Sequence, residues 1–163
     1  MEHVEIERRF LVRSIPKSLS AFRKRIIEQG YLSIAPTVRV RRDDNKFYLT
    51  YKNGKGTAHT EYNLPLTPES YAHLLDKADG IRICKDRYEI PDGSLTIELD
   101  IFHRELEGLR WAEVEFPTLA AAESYEKPAW FGDEITGICN NAALSRMDAE
   151  QAASFVRKKM SWG

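Results

Sequence analysis

Glu5, Glu7 and Arg9 stand two residues apart near the start of the chain. In an extended backbone successive side chains point to opposite faces, so these three share one face with Leu11. Val4, Ile6, Phe10 and Val12 share the other, with Arg8 the one polar residue among them. The same spacing recurs downstream. Carboxylates pair again at Glu98/Asp100 and Glu113/Glu115, and basic residues pair at Arg39/Arg41 and Lys85/Arg87, with Lys52 and Glu61 standing singly. One such pair is ordinarily a solvated strand face, but five in a chain of 163 residues point to a shared polar interior.

Electrostatics constrains what that interior could hold. Two like charges about 6 Å apart, at an effective dielectric near 20, repel by about 3 kcal/mol. Carboxylates gathered in one lumen therefore raise one another's pKa or take up a cation, and Mg²⁺ and Mn²⁺ favour oxygen ligands. Arginine forks suit phosphate oxygens. If the strands close into a barrel with these faces inward, the pocket has the composition expected for a metal-bound polyphosphate.

The elements that must position these residues can be read from periodicity and turn chemistry. A first strand is expected over residues 3–12. The spacing of Ala21, Phe22, Ile26 and Ile27 predicts a basic helix over 17–29, ended by Gly30. Extended structure resumes at Tyr31. Residues 37–41 and 46–52 read as a hairpin about the Asp43-Asp44-Asn45 turn. A second turn, Asn53 to Gly56, leads into a strand over 58–64. Thr67-Pro68 is a helix start, carrying Tyr71, Leu74 and Leu75, with Gly80 as its stop. Strands follow over 81–90, 95–101 and 111–116. Thr118 caps a short Ala-rich helix, residues 128–132 read as an aromatic loop, and Asp148 to Gln151 resembles the capping box of a terminal helix. Together these predict an α+β chain built on an antiparallel sheet.

Composition sets the outer limits. The length suits one domain with a substantial core. With a net charge of −1 there is no global basic field, which argues against general nucleic-acid or membrane binding. Cys84 and Cys139 are too few for a disulfide framework. No signal peptide and no apolar run of membrane-spanning length is present, so a cytoplasmic single domain is expected.

Glu5-x-Glu7-x-Arg9 resembles the N-terminal ExExK signature of the CYTH superfamily, the triphosphate tunnel metalloenzymes, with arginine in place of lysine. Gln29-Gly30-Tyr31-Leu32, Arg39-x-Arg41, Lys52, Glu61-Tyr62, Lys85-x-Arg87-Tyr88, Glu98-Leu99-Asp100, Glu113-Val114-Glu115-Phe116 and Trp130-Phe131-Gly132 follow in the family's order. The resemblance implies a closed eight-stranded antiparallel β-barrel with flanking helices, whose lumen binds a triphosphate and Mg²⁺ or Mn²⁺. It also implies phosphate binding by Arg9, Arg39, Arg41, Lys52 and Arg87. Metal or water would be held by Glu5, Glu7, Glu61, Glu98, Asp100, Glu113 and Glu115. In small bacterial triphosphatases of this kind a Tyr–Lys pair is thought to activate the attacking water, and the matching positions are Tyr31 and Lys85. The activity implied is divalent-metal-dependent hydrolysis of tripolyphosphate or another short triphosphate. Alternatives are a class IV-type adenylate cyclase, whose upstream His-Phe pair is here His3-Val4, and a non-catalytic polyphosphate- or nucleotide-binding module. Oligomeric state is left open, a homodimer included. Three positions depart from the pattern: Arg9 itself, Asn63 where many relatives carry a second glutamate, and Cys139-Asn140 just before the retained Asn141-x-x-Leu144.

Overall fold

The computed structural model describes residues 5–55 and 58–161; the expected roles of His3 and Val4 in the first strand and of Gly56 in a turn lie outside them. Nine strands are described: β1 (Ile6–Val12), β2 (Arg23–Ile34), β3 (Thr37–Asp43), β4 (Lys46–Lys55), β5 (Ala58–Pro65), β6 (Asp79–Asp92), β7 (Leu95–Phe102), β8 (Arg110–Phe116) and β9 (Phe131–Glu134). They form one antiparallel sheet in the order β5-β4-β3-β2-β6-β7-β8-β1-β9. Four α-helices accompany it: α1 (Pro68–Leu75), α2 (Leu119–Ser124), α3 (Asn141–Ser145) and α4 (Ala149–Lys159). None is long and apolar enough to cross a membrane.

The expectation of a closed eight-stranded barrel is corrected. Closure requires the two end strands to hydrogen-bond to each other, and here β5 and β9 are the ends of the order. β1, which would have to meet β5, is instead paired with β8 on one edge and with β9 on the other, at Phe10 and Val12. Side chains reach where the backbones do not. Lys52 of β4 ion-pairs with Glu5, just before β1, at 3.6 Å and with Glu61 of β5 at 3.5 Å. The sheet is therefore curled far enough for its opposite wings to touch through charged groups.

The helix expected over 17–29 is also corrected. A single 3-10 turn at Leu19–Ala21 is followed by β2, twelve residues long and paired on both edges, with β3 and with β6. Its alternation puts Ile27, Gln29 and Tyr31 on the buried face and leaves Ile26 53% exposed. The apolar residues fitted a helical stripe as well as a strand, and two flanking strands decide the matter. Gly80 does not end α1, which stops at Leu75. It lies in β6 with φ +69°, where a Cβ would stand 1.7 Å from the Ser145 carbonyl oxygen. The aromatic loop at 128–132 supplies the start of β9.

Other starts and stops follow the sequence. Thr67 accepts from the Ser70 amide and Pro68 opens α1; Thr118 accepts from Ala121; Asp148 and Gln151 form a reciprocal capping box for α4. Arg8, the polar residue on the apolar face of β1, bonds the Glu134 carboxylate of β9 and donates to the Ala122 carbonyl of α2 at 2.8 Å. It thereby fastens the outer layer to the sheet. That layer buries Phe10, Val12, Leu99, Val114 and Phe131, while α1 covers Val40 with Tyr71 and Leu75.

Candidate active site

On the concave face the pairs meet in register. Arg39 lies opposite Thr50, and Thr50 opposite Asn63; Lys52 lies opposite Glu61. Across the other wing Arg87 faces Asp100, Glu98 faces Glu113, Arg9 faces Glu113 and Glu7 faces Glu115. Period-two alternation thus turns seven strands' charged residues into neighbouring rows. They enclose a cavity of about 200 Å³ lined by Glu5, Glu7, Arg9, Arg39, Arg41, Lys52, Glu61, Arg87, Glu98, Glu113, Glu115 and Asn141.

Three expected residues, Lys85, Asp100 and Tyr31, lie outside that lining. Lys85 and Asp100 are buried beneath it, 1% and 0% exposed. The Lys85 ammonium donates to Asp100 Oδ2 at 2.8 Å and to Asn141 Oδ1 at 3.1 Å. Arg87 grips the same carboxylate with a two-pronged fork, at 2.7 and 2.8 Å, and the Trp111 indole N–H donates to it at 3.0 Å. Both Asp100 oxygens are thus occupied by protein donors. Burial alone would raise the Asp100 pKa, but Arg87 and Lys85 hold it well below the usual carboxylate range. Burial pushes the Lys85 ammonium down to about 8, against the pull of Asp100. Below this layer the same strand faces turn apolar. Leu11, Ile83, Phe102, Leu109 and Trp111 pack with Ile135, Cys139, Leu144 and Ala152 to form a floor.

Tyr31 is buried and lines a separate cavity of about 450 Å³ with Asp79, Gly80, Ser145 and Arg146. It reaches the charged cavity through Gln29, whose Nε2 donates to the Tyr31 hydroxyl at 3.4 Å and whose Oε1 accepts from Arg41 Nε at 2.7 Å. Tyr31 and Lys85 are each held by other partners, and no hydrogen bond between described residues joins them.

The cavity's charge is sorted by wall. On β3, neither Arg39 nor Arg41 has an ion-paired carboxylate among the described residues. Arg39 donates to Thr50 Oγ1 at 3.2 Å, and its Nε is buried without a partner. Burial, with Arg39 alongside, brings the Arg41 guanidinium down to about 10. On the facing wing the carboxylates crowd. Burial and then Glu113 push the Glu7 pKa up, and burial pushes Glu98 up against Arg87. Asn63 accepts from Thr50 at 2.6 Å and donates to Glu61 at 3.2 Å, so at this position an amide aligns the neighbouring carboxylate.

Gln29, Thr50, Trp111 and Asn141 belong to this network and were not picked out as site residues from the sequence. Each is uncharged, so the search for paired charges passes over it. Thr50 and Gln29 do lie at even spacing from Lys52 and Tyr31, and that is the signal that could have found them.

A curled antiparallel sheet with a basic wall facing a carboxylate wall defines a pocket for a compact polyanion. The chain matches the CYTH domain over residues 3–153 and belongs to that family. It is 37% identical over 139 residues to an inorganic triphosphatase of Nitrosomonas europaea, covering 81% of this chain and 89% of that one. It is 36% identical over 145 residues to an inorganic triphosphatase of Acetivibrio thermocellus, covering 82% and 86%. The crystal structure of the inorganic triphosphatase NE1496 superposes with a TM-score of 0.72 at 30% identity, covering 89% of this chain and 96% of that one.

Proposed function

We propose that this protein is an inorganic triphosphatase, hydrolysing tripolyphosphate or a similarly short triphosphate in the charged cavity with the help of a divalent cation. The observation that carries the reading is the pair Arg39 and Arg41, half-buried cations without carboxylate ion pairs among the described residues, facing a wall of crowded carboxylates. Guanidinium groups without carboxylate ion pairs want a polyanion, and a cavity of about 200 Å³ lined by charged residues and Asn141 suits bare phosphate better than a base or sugar. The two curated relatives named inorganic triphosphatase, each matched along most of its length, support the same reading.

Arg39, Arg41 and Lys52 bind and orient the phosphoryl oxygens and stabilise charge on the transferred group and the leaving oxygen, while Arg87, held by Asp100 and Glu98, adds positive charge to the wall. A divalent cation fits the donor set. Glu7, Glu98, Glu113 and Glu115 offer hard oxygen ligands, and a cation beside Glu7 and Glu98 would offset the burial that pushes their pKa values up. Among the described residues no three of them already converge as a metal cage. Mg²⁺ commonly takes one or two carboxylates together with phosphate oxygens and water. Bound there, such an ion supplies Lewis-acid neutralisation of phosphate charge. The nucleophile is water, attacking a terminal phosphorus in line with the departing oxygen. Lys85, buried behind the cavity but bonded to Asn141 of its lining and with its pKa lowered to about 8, is the group we assign to take up the proton, which only a neutral lysine can accept.

The test is an assay of the purified protein with Mg²⁺ or Mn²⁺ against tripolyphosphate, ATP and thiamine triphosphate, measuring phosphate, pyrophosphate and cyclic AMP. Phosphate release that is fastest from tripolyphosphate is the expected outcome. Cyclic AMP with pyrophosphate from ATP would make it a cyclase, and binding without product under either metal would make it a sequestering module.

A further inference from the structure

Arg9 takes the place of the signature lysine, and its surroundings give the longer fork a different task. Three of its N–H groups go to three separate acceptors. Nε donates to Glu113 at 3.1 Å, one terminal nitrogen to Glu7 at 3.1 Å, and the other to the backbone carbonyl of Cys139. The guanidinium lies 4.9 Å from the Trp111 ring centroid, and the residue is only 8% exposed. Its backbone is engaged by the same stretch of chain. The Arg9 amide donates to Thr136 Oγ1 at 2.9 Å, and the Ile135 amide donates to the Arg9 carbonyl at 2.8 Å. The segment from Ile135 to Cys139 therefore wraps around residue 9. It leads directly into α3, where Asn140 caps the helix and Asn141 accepts from the Lys85 ammonium.

We propose that Arg9 is a positioning residue rather than a phosphate ligand: it clamps residues 135–140 to the site and so holds Asn141 and Lys85 in register with Glu7 and Glu113. Two departures from the family pattern, at position 9 and at Cys139-Asn140, then meet at one contact. The Cys139 group that matters is its carbonyl oxygen, accepting the Arg9 fork. A lysine at position 9 has a single ammonium. It could reach the carboxylates, but a single nitrogen could not span all three separated acceptors and also cover Trp111.

Three measurements on Arg9→Lys, Arg9→Met and the comparator Arg41→Met test this. In both Arg9 variants the amides of Cys139, Ala143 and Leu144 are expected to exchange about tenfold faster or more, relative to the β6–β7 ladder of the same protein. Binding of tripolyphosphate in EDTA, followed by calorimetry, is expected to stay within about threefold of wild type in Arg9→Lys but to weaken about tenfold or more in Arg41→Met. Turnover in Arg9→Lys should fall about tenfold in kcat with KM nearly unchanged. Unaltered exchange at 139–144 would overturn the clamp. Loss of metal-free tripolyphosphate binding in Arg9→Lys equal to that in Arg41→Met would make Arg9 a phosphate ligand. The kinetic arm alone rests on the triphosphatase reading, and a wild-type protein without turnover would sink that reading while the exchange and binding arms still decide the clamp.

Discussion

Single side chains in this cavity divide into those satisfied by the protein and those left for a ligand. Asp100 is fully satisfied, whereas Arg39 keeps a buried Nε without a partner and Arg41 is bonded by Gln29 with no ion-paired carboxylate among the described residues. Replacing Arg41 by Met, or Glu113 by Ala, is therefore expected to lower kcat/KM for tripolyphosphate about a hundredfold or more while circular dichroism stays native. Lys85 gives a pH signature. If its neutral form takes the proton, the rate rises as pH passes through about 8, and Lys85→Met abolishes that limb of the profile. Glu7 gives a stability signature of known sign. Its folded pKa lies above the unfolded value near 4.5, so the fold binds the proton more tightly and loses stability as pH climbs through that interval. At neutral pH the whole penalty is in place. Glu7→Gln should therefore raise the melting temperature of the metal-free protein while lowering its turnover. The charged pairs were legible because a period of two is written directly into the sequence. Which charges face a ligand and which, like Asp100, are taken up by protein donors below the surface was not, because that depends on partners brought in from other strands.

At the scale of elements, register does the work of assembly. Arg39, Thr50 and Asn63 line up across three strands because the β3–β4 and β4–β5 pairings fix their register; the first hairpin was readable from Asp43-Asp44-Asn45, whereas Asn53, Gly54 and Lys55, expected in a turn, extend β4. α3 is held differently. It comes against β6 at Gly80, whose positive φ and missing side chain admit the Ser145 carbonyl. Gly80→Ala would combine left-handed strain with a collision against backbone, costing about 2–4 kcal/mol. It should also shift α3 away from Lys85. Thermal unfolding reads the first effect and kcat the second. The strand over 23–34 was hidden because Ile26 and Ile27 suit either period. Only the two flanking strands, far away in sequence, select the extended form. β9 escaped notice for a simpler reason: four residues are too few to show an alternation.

For the molecule as a whole, counting charged faces predicted a polar lumen but could not decide closure, which depends on whether β1's second edge is free. It is not, since β9 occupies it. The sheet accordingly has a well-paired middle and two thin ends. Native-state hydrogen exchange should rank β2 and β6, each paired on both edges, as the slowest and β5 and β9 as the fastest; uniform protection across the sheet would contradict an open order. The pairing of Ile6 with Phe116 has a consequence for birth order. β1 leaves the ribosome before the strand it pairs with, and β8 follows about a hundred residues later, on the order of ten seconds at ordinary synthesis rates. Glu7 and Arg9 must wait, unpaired, until the sheet that receives them exists. A chain stalled before β8 lacks Glu113 and Glu115 of the acidic wall and the strand that receives Glu7 and Arg9, so it carries no complete site.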